Sequence, residues 1–165
     1  MQTLETQEKL IGLHQFTAYE GEIIKDDAGN IVNKVVYISP VYKNIIVTVG
    51  KNLTLDRLFG LAAAVNITSV GVGDSATAAA IAQTGLLAAT NVLLKTADAG
   101  TSRTNQVVTI TATFATTEAN FVWNEAGLFN GNVNNTSVMF NRVVIGPFTK
   151  TTAVSIVYQT TVTQS

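Results

Sequence analysis

Residues 69–80, SVGVGDSATAAA, have the spacing of a nucleotide-binding loop. Gly71, Gly73 and Ala76 fit the pattern G-x-G-x-x-A, which follows a strand-like run and precedes an alanine-rich stretch that could form a helix. In that chemistry, backbone amides at a helix N-terminus hold a pyrophosphate. A dinucleotide fold needs repeated strand-helix-strand units, however, and this chain lacks their pattern. We therefore expect Gly71 and Gly73 to permit close backbone approach, or a bulge, at the end of a strand.

Most of the other ionisable groups have ordinary structural explanations. His14 is the single histidine of the chain, which excludes His-clustered metal sites. Its position at the start of an exposed strand predicts a surface or interface residue. Asp26 and Asp27 lie in a predicted turn, where aspartates form local hydrogen bonds. Glu20 and Glu22 share a strand face without an acid-base pocket around them.

Glu125 is the carboxylate with the most unusual context, because it stands in FVWNEAGLFN among large apolar residues. A buried carboxylate needs a partner, and Arg142 in MFNRVVI is the nearest plausible one in sequence. One hypothesis is a catalytic acid with a raised pKa. The other is a Glu-Arg pair that fixes the register of two strands, and we favour this structural role.

Composition excludes several classes of partner. Ten Lys and Arg residues against 11 Asp and Glu residues give a net charge of −1, so no strong field attracts nucleic acid or an anionic membrane. The chain has no cysteine and therefore no disulfide framework or thiolate metal site. Charged residues make up 13%, about half of the roughly 25% that is usual. We expect a chain without cofactors that folds in a reducing cytoplasm and is partly covered by partner subunits.

Residues 1–13 are predicted to form an N-terminal arm. The segment TLETQEKLIGL fits a short amphipathic helix, which is marginally stable in isolation. A frayed terminus and an arm docked on a neighbouring subunit are equally compatible with this pattern. In the second case, Leu4, Leu10, Ile11 and Leu13 are the interface residues.

Residues 14–165 are predicted to form a single β-rich domain, with a hairpin and a strand in residues 14–49 and the core in residues 50–165. The turn formers DDAGN join two extended runs, which predicts the hairpin. NIIVTV predicts a further strand that ends at Gly50.

The segment TLDRLFGLAAA predicts the principal helix. Thr54 is its expected N-cap, and Leu55, Leu58 and Phe59 recur at helical spacing. We expect this apolar face to pack on a sheet.

The sequence after residue 90 predicts successive β-strands with no helix between them. In QVVTITATFATT, apolar side chains at Ile110, Ala112 and Phe114 alternate with threonines, which is typical of a half-buried antiparallel strand. NFVWNEAGLFN, VMFNRVVI and AVSIVYQTTVT follow, and DAGTSRTN is predicted as a loop. The expected fold is mainly β, an antiparallel sandwich or a barrel-like sheet with one principal helix packed on it.

The order of GKNLTLDRLFG, ITSVGVGDSATAAA, WNEAGLFN, VMFNRVVIGPFTKT and SIVYQTTVT resembles small bacteriophage virion proteins, which include capsid decoration proteins and tail-fibre or collar-type domains. The resemblance covers about residue 50 to the C-terminus. It implies a structural protein of the virion without catalytic residues. It also implies that Gly71, Gly73, Glu125, Gly127 and Arg142 are positions that maintain the fold.

A chain of this size without a long repetitive shaft favours a capsid decoration, or cement, protein. Its expected partners are the major capsid protein or tail proteins and further copies of itself, for example in a trimer, with no nucleic acid and no membrane. The expected location is the virion, after assembly in the host bacterial cytoplasm. The alternative is a tail-fibre, head-fibre or collar protein in host attachment, which exposed Trp123 and Tyr158 would support as a carbohydrate platform. We expect Trp123 to lie in the core instead, which would remove the main support for that alternative. A small enzyme is the third hypothesis.

Overall fold

Two antiparallel sheets pack as a sandwich in the computed structural model, which describes residues 9–61 and 66–164. Strands account for 48% of the structure and helix for 8%, so the predicted mainly β class is confirmed. Of the two predicted architectures, the sandwich is present and the sheet is not a closed barrel.

The first sheet consists of β1 (Leu10–Glu20), β2 (Val35–Ile38), β3 (Tyr42–Lys43), β7 (Ser102–Thr104), β8 (Val107–Phe114) and β11 (Val154–Gln164). Its strand order is β2-β1-β11-β8-β7, and β3 also pairs with β1. The second sheet consists of β4 (Ile45–Ile46), β5 (Ser69–Gly73), β6 (Val92–Thr96), β9 (Val122–Phe129) and β10 (Met139–Thr149). Its strand order is β4-β10-β9-β5-β6.

Aromatic side chains from both sheets meet in the core. Trp123 of β9 lies 5.7 Å from Phe16 of β1 and 4.9 Å from Phe114 of β8, measured between ring centroids. Tyr158 of β11 stacks on Phe16 at 5.9 Å. These contacts follow from the alternation in the sequence, because every second side chain of a half-buried strand points to the same face.

The predicted hairpin is present between β1 and β2. Asp26 Oδ1 accepts hydrogen bonds from the amides of Ala28 and Asn30, and Gly29 takes the positive φ of 86° that the turn requires. The pairing of β1 with β2 shifts register between Ala18 and Tyr19.

The principal helix, α1 (Thr48–Phe59), begins well before the predicted position. Val47 is its N-cap, and the Thr54 hydroxyl donates to the carbonyl oxygen of Gly50 within the helix, so the prediction that Thr54 caps the helix was wrong. The predicted strand over NIIVTV is correspondingly short and comprises Ile45–Ile46. A Cβ at Gly50 would collide with the backbone of Phe140, which shows how closely the helix approaches β10.

The helix also presents a different face to the sheet from the one predicted. Leu53 is buried with Gly50, whereas Leu55, Leu58 and Phe59 are 53%, 73% and 69% exposed. The close approach at Gly50 selects the buried side, because a glycine lets the helix axis come nearer to the strand than a larger residue would. The predicted continuation at residues 62–64 lies outside the described residues.

The alanine-rich stretch 76–80 is not helical and belongs to a long irregular loop, residues 74–91. Two other predictions were wrong in detail. The predicted loop DAGTSRTN contains the short strand β7. The predicted arm boundary after Leu13 falls inside β1, which starts at Leu10, while residues 1–8 lie outside the described part. Among the described residues, no helix is long and apolar enough to cross a membrane.

Candidate functional site

Glu125 and Arg142 form a buried ion pair between adjacent strands. Arg142 lies opposite Gly127 in the register of β10 and β9, so Glu125 is its diagonal neighbour. Arg142 Nε donates to Glu125 Oε2 at 2.7 Å, and both side chains are 0% exposed. Both carboxylate oxygens of Glu125 accept hydrogen bonds from the protein itself, and this geometry supports the structural role.

The same pair holds the irregular loop 74–91 against the second sheet. The carboxylate accepts hydrogen bonds from the amides of Leu87 at 3.0 Å and Ala88 at 2.7 Å. The guanidinium donates to Gln83 Oε1 at 3.0 Å and to the carbonyl oxygen of Thr77 at 2.9 Å. The ion pair therefore supplies hydrogen-bond partners to two backbone amides and one backbone carbonyl of a loop that has no strand ladder. We call the ion pair and its four loop partners the loop brace.

Gly71 and Gly73 make room for large groups inside the second sheet. A Cβ at Gly71 would lie 2.7 Å from Phe129 Cε2, and a Cβ at Gly73 would lie 2.6 Å from Glu125 Oε1. Their strand pairs with β6 on one side and β9 on the other in regular register. The glycines thus permit close approach without a bulge. Because β5 is hydrogen-bonded on both sides, its amides are engaged in the sheet, and they do not form a phosphate-binding loop.

His14 is buried, so its predicted place on the surface was wrong. Asn44 Oδ1 accepts the amide of Gly12 at 3.2 Å, which turns Asn44 Nδ2 toward His14 Nε2 at 3.0 Å. Since an amide nitrogen donates, Nε2 is the acceptor and the imidazole proton resides on Nδ1. Nδ1 has Tyr158 Oη and Thr160 Oγ1 within 3.2 Å as acceptors.

Burial lowers the pKa of His14 to about 3, because the imidazolium would lose its hydration. The neutral ring links β1, β11 and the segment between β3 and β4. The signal for its burial was present in the sequence. His14, Phe16 and Ala18 alternate with more exposed residues along β1, and all three lie on the core face.

The predicted interface residues lie in β1, apart from Leu4, which is outside the described residues. Leu10, Ile11 and Leu13 pair with β11, and Leu13 is exposed. Leu10 also lines a cavity of about 650 Å³ between α1 and the ends of β1 and β11, together with Leu53 and Phe140. The described lining of this cavity is mixed, because apolar side chains lie beside two cationic residues, Lys9 and Arg57.

Trp123 and Tyr158 do not form a carbohydrate platform. Both side chains are buried in the core, and Trp123 Nε1 donates to the carbonyl oxygen of Ala119 at 2.9 Å. Trp123 is buried as expected, and this burial removes the aromatic platform that would have supported a receptor-binding module.

Two exposed apolar surfaces were not anticipated. The first, the β2 edge surface, lies along the outer strand of the first sheet and comprises Val32, Val35, Val36, Tyr37, Ile38 and Val41. The second, the α1 end surface, comprises Leu55, Leu58, Phe59 and Leu61. Sequence patterns identify these residues as apolar but cannot show which strand is at an edge or which helical face is left uncovered.

No metal centre is apparent in residues 9–61 and 66–164, where no three His, Cys, Asp or Glu residues cluster. Comparison of the chain with protein-family models, curated proteins and solved structures found no match.

Proposed function

We propose that this chain is a non-enzymatic structural protein of a bacteriophage particle and acts there as a capsid decoration, or cement, protein. The observation that carries the proposal is the pair of exposed apolar surfaces on a chain with 13% charged residues. Monomeric soluble proteins rarely expose large contiguous apolar patches, and such patches mark interaction sites. The sequence resemblance to phage virion proteins gives the class of partner.

The loop brace supports a structural role over an enzymatic one. Glu125 and Arg142 are the charged pair that most resembles catalytic machinery in the sequence, and their polar atoms are engaged with each other and with the loop. What the pair supplies is a fixed loop conformation on a rigid sandwich. A rigid surface suits repeated contacts, because little conformational entropy is lost each time it binds.

A cement protein acts by binding the assembled shell in preference to free capsid subunits. Any protein that binds one state and not the other stabilises that state by mass action. Oligomeric copies that span neighbouring shell subunits multiply modest individual affinities. Two separate apolar surfaces on one chain allow one contact with the shell and another with a further copy.

The test is the position and copy number of the protein in intact particles. Quantitative mass spectrometry and electron cryomicroscopy of purified particles should find hundreds of copies spread over the shell. Particles that lack the protein should lose heat resistance and regain it when purified protein is added. Six or twelve copies at one vertex would instead assign it to a tail, head-fibre or collar, and absence from the particle would refute a virion role.

A further inference from the structure

The outer edge of β2 has an unusual composition for an exposed strand. No strand of residues 9–61 and 66–164 pairs with it on the side away from β1. Edge strands are normally protected from pairing with other chains by charged residues or proline. At the opposite edge of the sheet, β7 follows that rule with the sequence Ser-Arg-Thr. All four residues of β2, Val-Val-Tyr-Ile, are apolar or aromatic, and all are exposed.

The backbone of β2 has hydrogen-bonding groups directed outward at two positions. The carbonyl oxygen of Lys34 accepts from the amide of Glu20, and the amide of Ser39 donates to the carbonyl oxygen of Phe16, so both groups point toward β1. Hydrogen-bonding direction alternates along an antiparallel strand. The N–H and C=O groups of the adjacent residues, Val35 and Ile38, therefore point away from β1.

Val36 is an extra residue in this strand, and it gives β2 an internal symmetry. In the pairing with β1, Ile38 opposes Thr17, Tyr37 opposes Ala18, and Val35 opposes Tyr19, which leaves Val36 without a counterpart. Val35 and Ile38 consequently face the same side of the sheet, one on each side of Tyr37. In a dimer with a two-fold axis perpendicular to the sheet, residues that lie opposite each other must face the same side of the sheet. Val35 and Ile38 meet this condition.

The flanking residues have the same symmetry. If Tyr37 lies opposite Tyr37 of a second copy, Val35 lies opposite Ile38 of that copy. Lys34 then lies opposite Ser39, so this register places no like charges opposite each other. The edge of β2 is therefore complementary to the same edge of a second copy, which favours a second copy over an unrelated protein as the partner.

We propose that the β2 edge surface binds a second copy of this chain, with the two β2 strands antiparallel about a two-fold axis at Tyr37. The first sheets of the two copies then form one continuous sheet across the dimer. The contact is isologous, which is the commonest symmetry of homo-oligomers. A surface built around one short strand belongs to the small, weak class of interfaces. This pairing goes beyond the proposed virion function and does not rest on it.

Two double variants with charges at the same positions test the register. In Val35→Lys/Ile38→Lys, each new lysine lies opposite a lysine of the second copy. In the matched control Val35→Lys/Ile38→Glu, each lysine lies opposite a glutamate. Sedimentation equilibrium should show dimerisation of the wild type, a dimer weakened about tenfold or more in the Lys/Lys variant, and a better-retained dimer in the Lys/Glu control. Circular dichroism of each variant checks that it is folded.

Disulfide trapping tests the same register independently, since the chain contains no cysteine of its own. A mixture of Val35→Cys and Ile38→Cys chains should form a cross-linked heterodimer under mild oxidation, because opposed residues lie about 5.5 Å apart between Cα atoms. A mixture of Val35→Cys and Val41→Cys chains is the control. Val41 lies beyond the end of β2, so its sulfur is displaced along the chain from the position opposite Val35, and this mixture should cross-link poorly.

Three outcomes would overturn the proposal. The first is a wild-type chain that remains monomeric up to about 500 µM, a concentration at which even weak dimers form. The second is a Lys/Lys variant that dimerises as well as the Lys/Glu control. The third is equal cross-linking in the two cysteine mixtures. Failure of this pairing would leave the particle-localisation test unaffected.

Discussion

Replacing Glu125 by Gln removes one charge from the loop brace and keeps the side-chain volume. The wild-type carboxylate accepts hydrogen bonds from Arg142 Nε and from the amides of Leu87 and Ala88. The Gln side chain turns one acceptor oxygen into an NH₂ group, which opposes these donors, and it leaves the guanidinium buried without a counter-charge. Breaking a buried ion pair in this way costs about 3–5 kcal/mol. That is a large part of the roughly 5–15 kcal/mol by which a domain is stable.

Urea unfolding at pH 7, followed by the fluorescence of buried Trp123, measures this cost. With a slope of about 2 kcal/mol per molar urea, a loss of about 3–5 kcal/mol lowers the midpoint by roughly 1.5–2.5 M. Glu20→Gln is the matched control, because Glu20 and Lys34 are 4.0 Å apart and largely exposed. Its free energy of unfolding should change by less than about 0.5 kcal/mol.

Hydrogen exchange separates a loss of the loop brace from a general loss of stability. In Glu125→Gln, the amides of Leu87 and Ala88 should lose protection to a greater extent than those of the β9 ladder, because their acceptor has been altered. A Glu125→Gln variant within about 1 kcal/mol of the wild type would refute the energetic argument. Unchanged protection of the two loop amides would refute the assignment of Glu125 as their anchor.

Three further predictions concern the core. Burial lowers the pKa of His14 to about 3 in the fold, whereas a histidine in the unfolded chain has a pKa of 6.5. The unfolded chain therefore takes up the proton first, and the free energy of unfolding falls as the pH drops from 6.5 toward 3. At about 1.36 kcal/mol per pKa unit, the loss is up to about 5 kcal/mol. Urea unfolding at several pH values in this range should show that the free energy of unfolding of His14→Gln depends less steeply on pH than that of the wild type. An equal dependence on pH in the two proteins would contradict the assignment of His14 as the buried, neutral group. Gly127→Ala should lower the free energy of unfolding by about 1–3 kcal/mol, because the new Cβ would lie 2.5 Å from the carbonyl oxygen of Asn141. Thermal unfolding measures this loss, and a melting temperature equal to that of the wild type would show that β9 and β10 can move apart without loss of stability. Leu53→Ala should cost about 2–5 kcal/mol and Leu58→Ala less than about 0.5 kcal/mol in urea unfolding, whereas similar losses would mean that the buried helix face is misassigned.

The strands were predictable because their signal is local. In β8, Ile110, Ala112 and Phe114 are buried and the threonines between them are half-buried, as the period of two requires. The pair of Glu125 and Arg142 was also accessible from sequence, since a charge among large apolar residues needs a partner. The same rule of alternation, applied to β1, places His14 on the core face.

The helix boundaries were not predictable, because a distant contact determines them. Thr54, Asp56 and the leucines after them are good local signals for a helix start. The chain begins its helix earlier because Gly50 fits against Phe140 of β10, and this tertiary contact outweighs the local cap. The exposed face of α1 follows from that contact and not from the spacing of its leucines.

The distribution of the few charges explains how this fold fixes its long loop. A segment without strand or helix, such as residues 74–91, must find partners for its backbone amides and carbonyls elsewhere. Glu125 and Arg142 provide three of these partners from inside the sheet, and Gly73 provides the space for the carboxylate. The glycines that resemble a phosphate-binding motif are therefore coupled to the ion pair. A side chain at Gly73 would displace the carboxylate, so Gly73→Ala and Glu125→Gln should release the same loop amides in hydrogen exchange, and their effects on stability should be less than additive.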